Sequence, residues 1–239
     1  MAIKEVQLAA IGLAVLGAAG VAAIRAVDGL PAIGWLAALG YLTASNALLL
    51  SALRRRHTSR MGWANVVTAT RSALVAIITG LVAASFVEPI SLPLLIGLVV
   101  PALALDAVDG WVARRTGTTT ELGARFDMEV DAFLLLVLSG YVAQILGPWV
   151  LAIGLMRYVF VAAGWMLPWL RLQLPPRYWR KVVTAVQGIA LTLAASGLVP
   201  ELAGVLVGVA LVLLVESFGR DVLWLALRSR SRRAEVGAS

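Results

Sequence analysis

Four aspartates, Asp106, Asp109, Asp127 and Asp131, fall within 26 residues of a chain that carries 13 acidic residues in all. From Leu105 to Phe133 the segment reads LDAVDGWVARRTGTTTELGARFDMEVDAF, with strongly apolar sequence on both sides. Spacings of three and four put each pair on one face of a helix, so two helices joined by RRTGTTTE can bring four carboxylates together. As bare anions they would repel one another and resist burial. Divalent cations relieve both problems. Oxygen-only ligation selects a hard ion, Mg2+ or Mn2+, and four carboxylates are enough for two ions. Such a pair clamps a phosphoryl group and stabilises a leaving phosphate, so the chemistry indicated is phosphoryl transfer. Gly110 and Ala113 beside the first pair, and Gly123 one turn before Asp127, let a flat or bulky group approach the backbone closely.

The elements that carry these residues must lie in lipid. Hydrophobic residues make up 61% of 239, charged residues 14%, and the mean hydropathy is +0.92. This composition belongs to an all-α integral membrane protein, since helices satisfy their own backbone groups in a bilayer. Cysteine is absent, which excludes disulfides, thiolate nucleophiles and cysteine-ligated metals. The net charge of +7 marks cytoplasmic loops and lipid headgroup contact rather than nucleic acid.

Apolar runs predict eight spans, at 6–24, 30–53, 64–87, 91–114, 121–145, 148–170, 181–198 and 201–218. Their breaks coincide with Asp28-Gly29, Glu88-Pro89, Gly147-Pro148, Pro175-Pro176 and Pro200. Arginine and lysine cluster at 54–60, 114–115, 171–181 and 228–233, whereas the connections near Glu88, Gly147 and Pro200 carry none. By the positive-inside rule the basic loops, both termini and the aspartates face the cytoplasm, as in a bacterial-type plasma membrane. The expected organisation is an accessory helical hairpin with a basic linker (1–61), a six-helix core (62–218) and a basic cytoplasmic tail (219–239).

Asp106, two residues, Asp109-Gly110, two residues, Ala113-Arg114, eight residues, Gly123, three residues, Asp127, three residues and Asp131 resemble the signature of the CDP-alcohol phosphotransferases. Eight specified positions would match by chance at below roughly one in 10⁸. The resemblance implies a six-helix core and an enzyme that transfers a phosphatidyl or related group from a CDP-linked lipid donor to an alcohol, releasing CMP. It implies two divalent cations on Asp106, Asp109, Asp127 and Asp131, with Asp131 as the base. Gly110, Ala113, Arg114 and Gly123 would shape the donor pocket. The resemblance also implies a homodimer in the lipid bilayer.

WANVVTATRS places Asn65, Thr68 and Arg71 at intervals of three on the third span. An arginine inside an apolar run needs a partner or a polar cavity. This stripe is similar to the family's opening helix and implies contact with the donor diphosphate. RYWRKVVTAVQG places Lys181, Thr184 and Gln187 at the head of the seventh span, as in phosphatidylglycerophosphate synthases, and Arg157 adds an intramembrane cation. Together they would take a phosphate-bearing acceptor, glycerol 3-phosphate or inositol phosphate. Glycerophosphate-type synthases commonly have proline and lysine where this chain has Met128 and Ala132, which leaves the acceptor open. Two other readings use the same aspartates: an aspartate-rich membrane prenyltransferase, whose acidic motifs normally sit in separate halves of the chain, and a cation transporter.

Overall fold

A computed structural model describes residues 29–56, 63–116, 121–172, 174–175 and 177–237, with side chains from 29–48, 70–106 and 126–229 within that range. The predicted span at 6–24 lies outside the described residues. Among the described residues seven α-helices run in chain order: α1 (Ala32–Arg56), α2 (Trp63–Ala84), α3 (Leu92–Thr116), α4 (Glu121–Leu146), α5 (Leu151–Met166), α6 (Tyr178–Ser196) and α7 (Pro200–Gly237). Short 3-10 turns, Pro148–Val150 and Pro168–Arg171, flank α5. No strand occurs among the described residues. Among the described residues, three segments are long and apolar enough to cross a membrane: Phe126–Leu146, Pro148–Met166 and Pro200–Ser229. Ala32–Leu48, Thr70–Ala84 and Leu92–Asp106 are shorter apolar stretches.

The ends of the helices follow from turn chemistry. Gly29 takes φ 68 ahead of Pro31, and the Pro31 carbonyl accepts from the Gly34 and Trp35 amides as α1 begins. Gly147 at φ 102 makes the corner after α4, and Gly197 at φ 66 ends α6 in a left-handed cap. Pro200 then opens α7, where its missing N–H is of no consequence.

Two elements differ from the expected spans. The run 148–170 is not one helix, because α5 stops at Met166 and Leu167 turns extended, at φ −121 and ψ 90. Pro168 forces this, since the residue before a proline is driven out of the helical region. In contrast, α7 continues well past the expected end at 218, through the basic tail to Gly237. Its arginines are good helix formers, and no proline interrupts the run.

The fold divides between Val137 and Leu138 into two compact units. In the first, Leu30, Gly34, Ala38, Leu42 and Ser45 form the buried stripe of α1 at intervals of three and four, and this stripe packs on α2. The crossing is made by glycine. A Cβ added to Gly34 would lie 2.7 Å from the Gly80 carbonyl oxygen, and one added to Gly80 would lie 2.9 Å from that of Gly34. Small residues let helix backbones approach where lipid offers no hydrophobic drive to association. Gly80→Val is therefore expected to force α1 and α2 apart and to destabilise the protein by about 1–3 kcal/mol, read as a lower unfolding midpoint in detergent. An unchanged midpoint would mean that this crossing yields without penalty.

In the second unit, Ala203, Val207, Ala210, Leu214, Ser217, Asp221 and Leu225 make the buried stripe of α7, which packs against α6. Phe160 of α5 meets Phe218 of α7 edge to face, with ring centroids 5.4 Å apart.

Candidate active site

Arg71 lies in α2 and is completely buried, which in an apolar segment requires that its charge be met. Three carboxylates among the described residues meet it. Nη1 donates to Asp106 Oδ1 at 2.6 Å, and Nη2 donates to Asp127 Oδ1 and to Asp131 Oδ1, each at 2.6 Å. Nη2 also reaches the Asp127 backbone carbonyl at 3.3 Å. Asp127 and Asp131 come from one face of α4, four residues apart, and Asp106 comes from the C-terminal half of α3. Pro101, inside α3, stands five residues before Asp106 and leaves one i−4 carbonyl of that helix without its usual donor.

The side chains of Asp106, Asp127 and Asp131 are 42%, 30% and 25% exposed, while that of Arg71 is 0% exposed. The arginine is therefore the fully buried member of the group, and the three carboxylates are its partly exposed members. One oxygen from each carboxylate lies within 4.8 Å of the others, a convergent oxygen donor set that fits one hard divalent cation. The side chains of Asp109, Gly110, Ala113, Arg114 and Gly123 lie outside the described residues, as do those of Asn65 and Thr68. The three described aspartates of the expected four thus converge, and Arg71 of the polar stripe joins them.

The helix α1 supports this group from the side. Tyr41 stacks on Phe133, two residues beyond Asp131, with ring centroids 4.5 Å apart. Its hydroxyl shares a hydrogen bond of 3.2 Å with Ser72, the neighbour of Arg71. Neither contact could be read from the sequence, because periodicity assigns a face to each helix but not the helix that it meets.

The acceptor residues expected on α6 do not share one environment. Lys181 and Thr184 are exposed, and the Thr184 hydroxyl donates back to the Arg180 carbonyl at 3.0 Å. Gln187 is buried, and its Nε2 has no hydrogen-bond partner among the described residues. Steps of three fall short of a full helical turn by about 60° each, so the third member of such a stripe has rotated a third of the way round. Arg157 on α5 is half-buried.

The basic run ahead of α6 has a structural partner that the sequence reading passed over. Asp221, buried in α7, lies 3.6 Å from Arg180 Nε and 4.0 Å from Arg177 Nη1. Arg180 also donates to the Pro175 carbonyl. Trp179 donates from Nε1 to Glu216 at 3.0 Å, and Glu216 in turn pairs with Arg220. The available signal was an isolated acid in the apolar run FGRDVLWLAL, since an ionisable group in such a run needs a partner.

No curated protein and no solved structure matches the chain. The sequence pattern described as CDP-alcohol phosphatidyltransferase matches residues 61–216, roughly two thirds of the chain, and this region contains α2 to α6, Arg71 and every aspartate of the cluster. With three helices among the described residues long and apolar enough to cross a membrane, and an aspartate group suited to a hard cation inside the matched region, the chain belongs to the CDP-alcohol phosphatidyltransferase family, whose members are transferases acting in a membrane on a CDP-alcohol donor and an alcohol acceptor.

Proposed function

We propose that the protein transfers a phosphatidyl or closely related group from a CDP-linked lipid, such as CDP-diacylglycerol, to a phosphate-bearing alcohol, with glycerol 3-phosphate or inositol phosphate as acceptor. The observation that carries this reading is the convergence of Asp106, Asp127 and Asp131 on one point within the matched segment. Family membership favours this chemistry over the prenyltransferase and transporter readings. The family is in general divalent-cation dependent, and Asp106, Asp127 and Asp131, completed by Asp109, would hold two ions, Mg2+ or Mn2+. Ions held there would supply positive charge to offset the negative charge of the donor diphosphate and the departing CMP.

The chain's own residues supply the rest. Asp131 accepts the proton of the acceptor hydroxyl as its oxygen bonds to the lipid-linked phosphorus. The bond from that phosphorus to the bridging oxygen breaks, and CMP leaves with the electron pair. A carboxylate is a weak base for an alcohol, but proton loss concerted with O–P bond formation makes it sufficient. Asn65, Thr68, Arg71, Gly110, Ala113, Arg114 and Gly123 are assigned to the donor. Arg157, Lys181, Thr184 and Gln187 are assigned to the acceptor phosphate.

In the same reading the chain crosses the membrane eight times and works as a homodimer. The six-helix core at 62–218 is preceded by the accessory hairpin and followed by the basic tail, with the basic loops and the site on the cytoplasmic face. Because the chain contains no cysteine, single-cysteine variants test this directly. Cysteines placed at Thr118 and Leu172 should be labelled only from the cytoplasmic side, and those at Glu88 and Leu198 only from outside. Labelling of Thr118→Cys from outside would invert the topology.

Function is tested with purified enzyme, CDP-diacylglycerol, Mn2+ and a panel of alcohols. CMP formation that depends on glycerol 3-phosphate or inositol phosphate, with the matching phospholipid as product, is the expected result. Product formation only with an alcohol lacking a phosphate would refute the acceptor assignment and leave the donor chemistry standing.

A further inference from the structure

We propose that Tyr41 is a positioning residue of the active site: from α1, a helix outside the matched segment, it fixes α2 and α4 so that Arg71 and Asp131 keep their register. This rests on the transfer reading above and makes α1 a working part of the catalytic unit.

The family match covers residues 61–216, whereas α1 ends at Arg56. Yet α1 belongs to the same compact unit as Arg71, Asp106, Asp127 and Asp131, which spans Met1–Val137. Within that unit Tyr41 holds one residue on each of two helices. Its ring stacks on Phe133 of α4, with centroids 4.5 Å apart and planes 23° from parallel. Its hydroxyl shares a hydrogen bond of 3.2 Å with Ser72 of α2. Ser72 follows Arg71 directly, and Phe133 stands two residues beyond Asp131. Over so short a stretch a helix moves as one piece. A rotation or slide that carried Arg71 or Asp131 away would therefore pull on one end of the Tyr41 bridge.

Two further contacts make α1 a firm base for that bridge. Ser72 Oγ also donates to Ser45 Oγ at 3.5 Å, one turn beyond Tyr41 on α1, and both serines are buried. Hydroxyl contacts are directional where apolar packing is not, so they select one rotation of α2 about its axis. Gly34 and Gly80 pin the same pair of helices at a second point, backbone against backbone. The seven residues from Gly34 to Tyr41 span about 10 Å of helix. Two attachments that far apart hold the tilt of α2 as well as its position. The contact so protected is short, with Arg71 Nη2 and Asp131 Oδ1 2.6 Å apart. Misplacing a reacting group by about 1 Å costs up to about 10²-fold in rate. Tyr41 acts through Phe133 and Ser72, not on the reacting atoms.

The test uses the full-length protein, purified in detergent with Mn2+ present. CMP release from CDP-diacylglycerol is followed with the best acceptor of the panel above, and kcat is counted per folded molecule from unfolding midpoints taken alongside. Backbone hydrogen exchange is measured over residues 126–137. Tyr41→Leu should lower kcat about ten- to a hundredfold and raise KM for CDP-diacylglycerol less than about threefold, because the displaced groups stay within the site. In the same variant the amides of 126–137 should lose protection. Tyr41→Phe keeps the ring and should return kcat to within about fivefold of the parent. Ser72→Ala should match it, and the double variant should lose no more than either alone, since both cut one bond. A parent-like kcat per folded Tyr41→Leu molecule overturns the proposal, whatever happens to its midpoint. If Tyr41→Leu does not fold, the cycle of Tyr41→Phe and Ser72→Ala decides, and additive losses or no loss overturn it. If the parent releases no CMP with any alcohol, the transfer reading fails. Exchange over 126–137 then decides the bridge by itself, and unchanged protection in Tyr41→Leu overturns it.

Discussion

Asp131→Asn is expected to lower kcat by about 10²–10⁴-fold, the usual loss when a positioned general base is removed, while binding of the CDP-linked donor changes little. The substitution preserves the shape of the side chain but removes its negative charge and, with it, its capacity to take a proton. Asp127→Asn, one turn earlier on the same face of α4, should instead weaken Mn2+ and donor binding together with turnover, because that residue is assigned to the ion alone. The two variants therefore separate base from ligand by a split between kcat and binding. If Asp131→Asn turned over at near the parent rate with saturating metal, no base would be needed at that position. If its whole defect vanished on adding more Mn2+, Asp131 would be chiefly a ligand. Both substitutions also remove a contact to Arg71, so unfolding midpoints must accompany the kinetics.

Removal of divalent cations should have the larger effect. Chelation is expected to reduce transfer by about three orders of magnitude or more, the rate equivalent of the several kcal/mol that metal ions contribute to stabilising phosphoryl charge. The loss should reverse on adding Mg2+ or Mn2+, and CMP production should return in parallel with ion binding. Chelated protein should remain folded, because Arg71 continues to compensate Asp106, Asp127 and Asp131. Full activity in a verified metal-free preparation would remove the ion-based mechanism. Unfolding on chelation would show that the ions, not the arginine, hold the helices together.

The residues that could be read from the sequence are those whose information is local. Asp127 and Asp131, four apart, had to share a helix face, and Asp106 had to lie near the end of the preceding apolar run. Gly147-Pro148 and Gly197 with Pro200 marked their corners because backbone conformation there depends on the residue itself. What the sequence left open depends on which helix meets which. The intervals joining Asn65, Thr68 and Arg71 announced a polar stripe, but nothing in them said that Arg71 would end between three aspartates from two other helices. Nothing in the sequence announced that Tyr41 would stack on Phe133 beside Asp131, or that Asp221 would take the charges of Arg177 and Arg180. Helix ends set by hydropathy alone were the least secure. The drop in apolar character after 218 does not stop α7, whereas one proline at 168 cuts short an apolar run that hydropathy would have continued.

The central claim is that an alcohol oxygen attacks the lipid-linked phosphorus of a CDP donor and displaces CMP. It is tested most directly by supplying the acceptor with heavy oxygen in the attacking hydroxyl and weighing both products. The account requires the label to appear in the phosphodiester of the lipid product, CMP to be unlabelled, and the two products to form in equal amounts only when divalent cation is present. A lipid product without the label, or CMP formed at the full rate with no alcohol present, would contradict it.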